Sequence, residues 1–213
     1  MRRRIAPLVL TGFAAAIVAV APAAAADAAL RLERYLDELT SLRAEFRQSV
    51  TDARGRAIER AEGTMSLLRP GRFRWEYRVP EQLIVSDGKT IWHYDIELEQ
   101  VTIREAGATL AGTPAQLLAG QADLDEEFSI TDAGEGEGLQ WSLLTPRRPD
   151  PDFRELRLGF DGRELRRMRL FDRLDQITEL ELLQIERNPR LDPSLFTFKP
   201  PPGVDVVGRA PAG

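Results

Sequence analysis

The stretch Arg69–Pro80, "RPGRFRWEYRVP", constrains the fold more than any other. Phe73, Trp75 and Tyr77 alternate with Arg72, Arg74, Glu76 and Arg78. A period of two puts the three rings on one face of an extended strand and the charges on the other. Pro70-Gly71 supplies the tight turn ahead of it. A strand like this needs neighbours for its backbone groups and a cover for its rings. The cover is either the protein's own core or a cargo that comes and goes.

The neighbours can be read on both sides. "EGTMSLL" (62–68) precedes the turn and alternates in the same way. "QLIVSDGKTIWHYD" (82–95) sets two apolar segments around Asp87-Gly88, a strong hairpin signal. "LEQVTIRE" (98–105) makes another strand. From Phe128 onward the pattern resumes with "FSIT", "LQWSLLT", "ELRLGF", "LRRMRLF", "QITELELLQI" and "FTF". "GEGEG" (134–138) and Asp161-Gly162 supply turns, and "TPRRPDPD" (145–152) reads as an exposed, proline-broken loop. The total is about ten strands joined mostly as hairpins, hence an antiparallel sheet. A sheet of that width curls and must be covered on its inner side.

Two helical segments are available as cover. Asp27 to about Gln48 reads as a helix, with Leu32, Tyr35, Leu36, Leu39, Leu42 and Phe46 at helical spacing and Asp27 as its cap. "GTPAQLLAG" (112–120) has Thr113 as cap, Pro114 at the first helical position and Gly120 as stop. "DLDEEF" (123–128) reads as a short helical turn. The fold class is therefore α+β, with a curved antiparallel sheet under an N-terminal helix and a short helical insertion.

The N-terminus defines the compartment. "MRRR" is a basic n-region, an apolar run follows, and Ala24–Ala26 gives the small-residue site that a signal peptidase reads. Residues 1–26 are expected to be a cleaved signal peptide, with an uncleaved anchor as the alternative reading. Residues 27–207 form one domain, and 208–213 a flexible tail. No cysteine occurs anywhere, which excludes a lipid-bearing N-terminal cysteine, a disulfide framework and thiol catalysis. The expected location is the periplasm. The formal charge of −5 becomes more negative once Arg2, Arg3 and Arg4 leave, which argues against nucleic acid as a partner.

Catalytic chemistry has little to build on. His93 is the single histidine, on the strand face opposite Trp92 and Tyr94, and reads as structural. With one histidine and no cysteine, a zinc site would need carboxylates for nearly every ligand. No nucleophile elbow or phosphate-cradling glycine loop is present. The paired acids Glu126/Glu127 and Glu135/Glu137 lie in solvated runs. Neither a metal, a cofactor nor an enzymatic activity is expected. What remains is an apolar inventory on strands: Phe73, Trp75, Tyr77, Trp92, Tyr94 and Trp141.

Several of these stretches resemble one family. "RPGRFRWEY", "IVSDGKTIWHYD", "EQVT" and the closing "FTFKPPPGVDVV" are similar to the outer-membrane lipoprotein carriers, LolA. "LRAEFRQSV" (42–50) resembles that family's first strand, and "GTPAQLLAG" its lid insertion. The resemblance implies an incomplete (half) β-barrel whose open side is plugged by helices. It also implies a monomeric carrier that takes acylated lipoproteins from an inner-membrane ABC-type release complex to an outer-membrane acceptor. Phe73, Trp75, Tyr77, Trp92 and Trp141 would line its lipid cavity, and Arg69 would latch the sheet to the lid. A lipid-sensing regulatory half-barrel, or a carrier of another envelope lipid, stays open beside it.

Overall fold

A computed structural model describes residues 21–106, 118–120, 124–148 and 153–209. Helix α1 (Ala21–Glu38) leads into strand β1 (Ser41–Thr51). Strands β2 (Ala57–Leu68), β3 (Arg72–Arg78), β4 (Glu81–Asp87), β5 (Thr90–Asp95) and β6 (Gln100–Glu105) follow. After the insertion and a single helical turn, α2 (Leu124–Glu127), come β7 (Phe128–Gly136), β8 (Leu139–Pro146), β9 (Phe153–Asp161), β10 (Glu164–Asp172) and β11 (Ile177–Arg187). A 3₁₀ turn (Pro193–Phe196) and strand β12 (Asp205–Gly208) complete the chain.

The twelve strands among the described residues form one open, curved sheet in the order β12-β6-β5-β4-β3-β2-β1-β11-β10-β9-β8-β7. Every pairing is antiparallel except β12 with β6, which is parallel. The expected hairpins form where the turn residues stand. Gly88 (φ +98°) and Gly162 (φ +60°) take the left-handed conformations that close β4–β5 and β9–β10. Asp87 Oδ1 accepts from the Lys89 and Thr90 amides, both at 2.8 Å, and so fixes the first of these turns.

Three sequence expectations are corrected. The helix already includes Ala21, ahead of Asp27, so Asp27 is not its cap in this chain, and it ends at Glu38 instead of running to Gln48. Leu42, Ala44 and Phe46 belong to β1, as the family resemblance implied, and alternate in burial as strand residues. The helical spacing from Leu39 to Phe46 was a coincidence of two periods meeting at a boundary. Third, "FTF" is no strand: Phe196 ends the 3₁₀ turn, and the last strand is β12, further along. The expected strand count of about ten falls short of twelve, chiefly because "LRAEFRQSV" and β12 are strands. Thr113 and Pro114 lie outside the described residues. Leu118 and Ala119 are helical and Gly120 (φ +71°) ends them, as expected of a stop.

Distant residues fix the helix-to-strand switch after Glu38. Asn188 Oδ1 accepts from the Thr40 amide at 2.8 Å, and its Nδ2 donates to the Glu38 carbonyl at 2.8 Å. Arg187 Nη2 donates to Glu38 Oε2 at 2.9 Å. The bond to the Glu38 carbonyl satisfies a group that a helix end leaves unpaired, and together the bonds tether the end of α1 to the sheet, whose face toward α1 is called the inner face below.

Candidate functional site

The inner face of the N-terminal half is an aromatic and aliphatic wall. Strand pairing aligns Met65 with Trp75 and Trp75 with Ile84, while Leu67 lies beside Phe73 and Phe46 beside Gly63 and Tyr77. Residues paired across strands point to the same face, so these side chains form one continuous surface. Phe46 meets Tyr77 edge-on at 5.0 Å and Trp75 at 6.0 Å, and Phe73 meets Trp75 at 6.2 Å. Gly63 permits this close packing: a Cβ there would overlap the Glu76 carbonyl oxygen and stand 3.0 Å from the Phe46 ring. Leu32, Tyr35, Leu36 and Leu39, from α1 and the residue after it, join this cluster with Leu118 and Ala119 of the insertion.

Polar groups on the wall are few. Tyr77 donates its hydroxyl to Gln48 Oε1 at 3.4 Å, and burial, with a smaller push from Glu59, raises its pKa to about 12. Trp75 is 6% exposed, and its indole Nε1 is buried with no hydrogen-bond partner. His93 shares the inner face, since it pairs with Ile84, and lies 3.3 Å from Gln82 Oε1. Burial lowers its pKa, against the opposing influence of Asp95, so it is a neutral, hydrogen-bonded strand residue.

Arg69 sits where the wall meets the end of α1. Its Nη1 donates to the Leu36 carbonyl and, at 3.3 Å, to the Leu39 carbonyl. A cation at the carboxyl end of a helix also faces the negative end of the helix dipole. Gly120 lies directly against the guanidinium, which leaves no room for a Cβ at that position. Next to it, the Gly71 amide donates to the Ala119 carbonyl at 2.9 Å. Arg69 therefore bonds the end of α1, and the insertion supplies the glycine that makes room for it.

The five expected lining residues do not gather in one place. Phe73, Trp75 and Tyr77 share the inner wall. Trp92 does not: it pairs with Val85 and faces the opposite, outer side, where it and Tyr94 pack on Phe198 at 6.4 and 5.9 Å. Trp141 is also on the outer side. It pairs with Gly159, lies under the Arg169 guanidinium at 4.6 Å, and donates Nε1 to the Gly136 carbonyl at 3.0 Å. Arg169 in turn holds Glu137, keeping that carboxyl below its usual range, with Arg167 assisting. Both corrections have the same cause. On β5 and β8 both faces are buried in part, so alternation does not say which side is inner. The wall residues that the sequence reading missed are Phe46, Met65, Leu67, Ile84 and Ile91. Phe46 could have been found by continuing the two-residue period backward through Leu42 and Ala44.

The class defined by this arrangement is a half-covered apolar sheet that offers surface and shape, with no clustered metal ligands among the described residues. The profile of the family described as outer membrane lipoprotein carrier protein LolA matches residues 37–199, and the chain belongs to that family, whose members are carriers and not enzymes. An outer-membrane lipoprotein carrier protein from Dechloromonas aromatica is 45% identical over 185 residues, 86% of this chain and 89% of that one. One from Methylobacillus flagellatus is 41% identical over 185 residues, 86% and 90% of the two chains. Among solved structures, an uncharacterized conserved protein from Thermus thermophilus shares the fold with a TM-score of 0.53 at 16% identity, covering 87% of this chain and 99% of that one.

Proposed function

We propose that this chain shields the acyl chains of lipoproteins on the wall formed by Phe46, Met65, Phe73, Trp75 and Tyr77 as it carries them through the periplasm. The observation that carries this reading is the continuous aromatic face in one cluster with the apolar residues of α1, whose largest ring, Trp75, has an unpaired indole N–H. At about 0.8 kcal/mol per methylene, a chain of roughly 16 carbons costs on the order of 13 kcal/mol to expose to water. A non-directional surface recovers part of this without demanding one shape of guest. Incomplete recovery is what a carrier needs, because cargo must also leave.

In this reading the sheet acts as an incomplete barrel, α1 and the insertion are its movable cover, and Arg69 is the latch. Acyl chains would enter where Leu32, Leu36 and Leu118 now pack, which requires α1 to lift and the Arg69 bonds to the Leu36 and Leu39 carbonyls to break. An inner-membrane ABC-type complex would load the carrier, an outer-membrane acceptor would unload it, and a single cargo suits a monomer. Cleavage before Asp27 would free it from the membrane; among the described residues no helix is long and apolar enough to cross one.

The test is to purify the protein from its host and identify by mass spectrometry what travels with it. Di- or triacylated lipoproteins are expected. Consistent recovery of a non-protein envelope lipid would instead favour the carrier of another lipid.

A further inference from the structure

We propose that the cleft between α1 and the β9–β10 hairpin is a binding site for a phosphate group. The cleft has a volume of about 370 Å³ and is lined by Arg31, Arg34, Tyr35 and Glu38 of α1, by Arg163 of the β9–β10 turn and by Arg187 of β11. Tyr35 borders both this cleft and the apolar cluster, and the four arginines belong to the cleft alone. Four guanidinium groups gather here in a chain whose formal charge is −5. Such a gathering is unfavourable unless something negative offsets it.

The protein supplies only part of that offset. Arg187 has Glu38 at 2.9 Å and Glu164 at 4.0 Å. Arg31, Arg34 and Arg163 have no carboxylate partner among the described residues. Three buried donors are also unsatisfied: Arg31 Nη1, Arg187 Nε and the hydroxyl of Tyr35, a residue only 3% exposed. Glu164 Oε2 is likewise unpartnered. The Arg187 guanidinium lies 5.0 Å over the Tyr35 ring, which fixes the two together. Burial, reinforced by Glu164, pushes the Tyr35 pKa up, so its hydroxyl stays protonated and can donate. Donors in this number, several of them charged, call for a ligand that only accepts and is itself negative. A phosphate group meets both conditions, and arginine forks match its oxygens.

Occupancy has a mechanical consequence. Arg31, Arg34 and Tyr35 ride on the covering helix, whereas Arg163 lies in the β9–β10 turn and Arg187 ends β11. A bound phosphate joins the two and holds α1 down. The group can come from a soluble phosphate or from the headgroup of an anionic phospholipid.

The experiment has two arms on the purified protein at fixed ionic strength. Inorganic phosphate is titrated against chloride by calorimetry and thermal denaturation. Vesicles of phosphatidylcholine with and without phosphatidylglycerol are floated with the protein. Saturable phosphate binding that raises Tm is expected, weakened about tenfold by Arg34→Ala and by Arg163→Ala. Both residues are exposed, so these variants retain the fold. Flotation with phosphatidylglycerol that inorganic phosphate competes away assigns a headgroup source; phosphate binding without flotation assigns a soluble one. The proposal is overturned by absence of saturable binding in both arms, by binding that neither variant weakens, or by acetate binding as tightly as phosphate.

Discussion

Trp75 and Trp141 are each 6% exposed on a β-strand, yet they occupy opposite faces of one sheet. Trp141 is fully accounted for: its indole N–H is bonded at 3.0 Å to Gly136, its outer surface is capped by Arg169, and Gly159 lies beneath it. Trp75 has only edge-on aromatic and aliphatic neighbours, and its N–H bonds nothing. Directional bonds hold the first ring in one place. Only non-directional contacts hold the second, and another apolar body could replace its cover without breaking a hydrogen bond of the ring. Burial alone does not separate a structural aromatic from one that can receive a guest; the bonds around the ring do.

Substitutions at the two rings should therefore diverge. Trp75→Glu places a charge on the apolar wall and is expected to abolish binding of a fluorescent fatty-acyl probe, with circular dichroism confirming that the sheet remains. Trp141→Ala should lower unfolding stability by about 3–5 kcal/mol in urea denaturation while leaving acyl affinity unchanged. A loss of acyl affinity in that variant would erase the distinction between the faces. A smaller effect is expected of Arg69→Leu, which removes charge-assisted bonds of about 1.5 kcal/mol from the end of α1. Faster amide exchange at α1 is expected with the sheet unchanged, together with impaired release of cargo in a transfer assay. Normal delivery by this variant would remove the latch.

The smallest effect concerns the outer face under acid. Arg169 and Arg167 hold the Glu137 pKa below its ordinary 4.5. A depressed carboxyl contributes stability that is present above pH 4.5 and lost as pH falls through its folded value. Glu137 is largely exposed, so screening keeps the contribution slight. Glu137→Gln should flatten the acid limb of the stability profile slightly and leave the inner wall unaffected, which pH-dependent denaturation of the two proteins would measure.

How much of this was legible in the sequence depends on whether local chemistry or pairing decided it. Asp87-Gly88 and Asp161-Gly162 marked hairpins because the turn needs those residues, and the face shared by Phe73, Trp75 and Tyr77 followed from period two. The end of α1 was not legible, because Asn188 and Arg187, about 150 positions along the chain, supply the bonds that stop it. Trp92 was misassigned because its partner is Phe198 of the C-terminal segment, far along the chain and not signalled by the alternation around Trp92. The partners of Arg69 were hidden for the same reason: an arginine before a turn says nothing of which helix will end beside it.

The chain has three tryptophans, and they sample the wall, the C-terminal cover and the outer ionic face. Uniform 5-fluorotryptophan labelling makes each a separate ¹⁹F resonance, which single substitutions assign. On titration with a diacylated lipopeptide, the Trp75 signal should shift and saturate while Trp92 and Trp141 stay where they are. A stationary Trp75 signal with bound lipopeptide, or a shift confined to Trp92 or Trp141, would contradict the inner wall as the place where lipid is held.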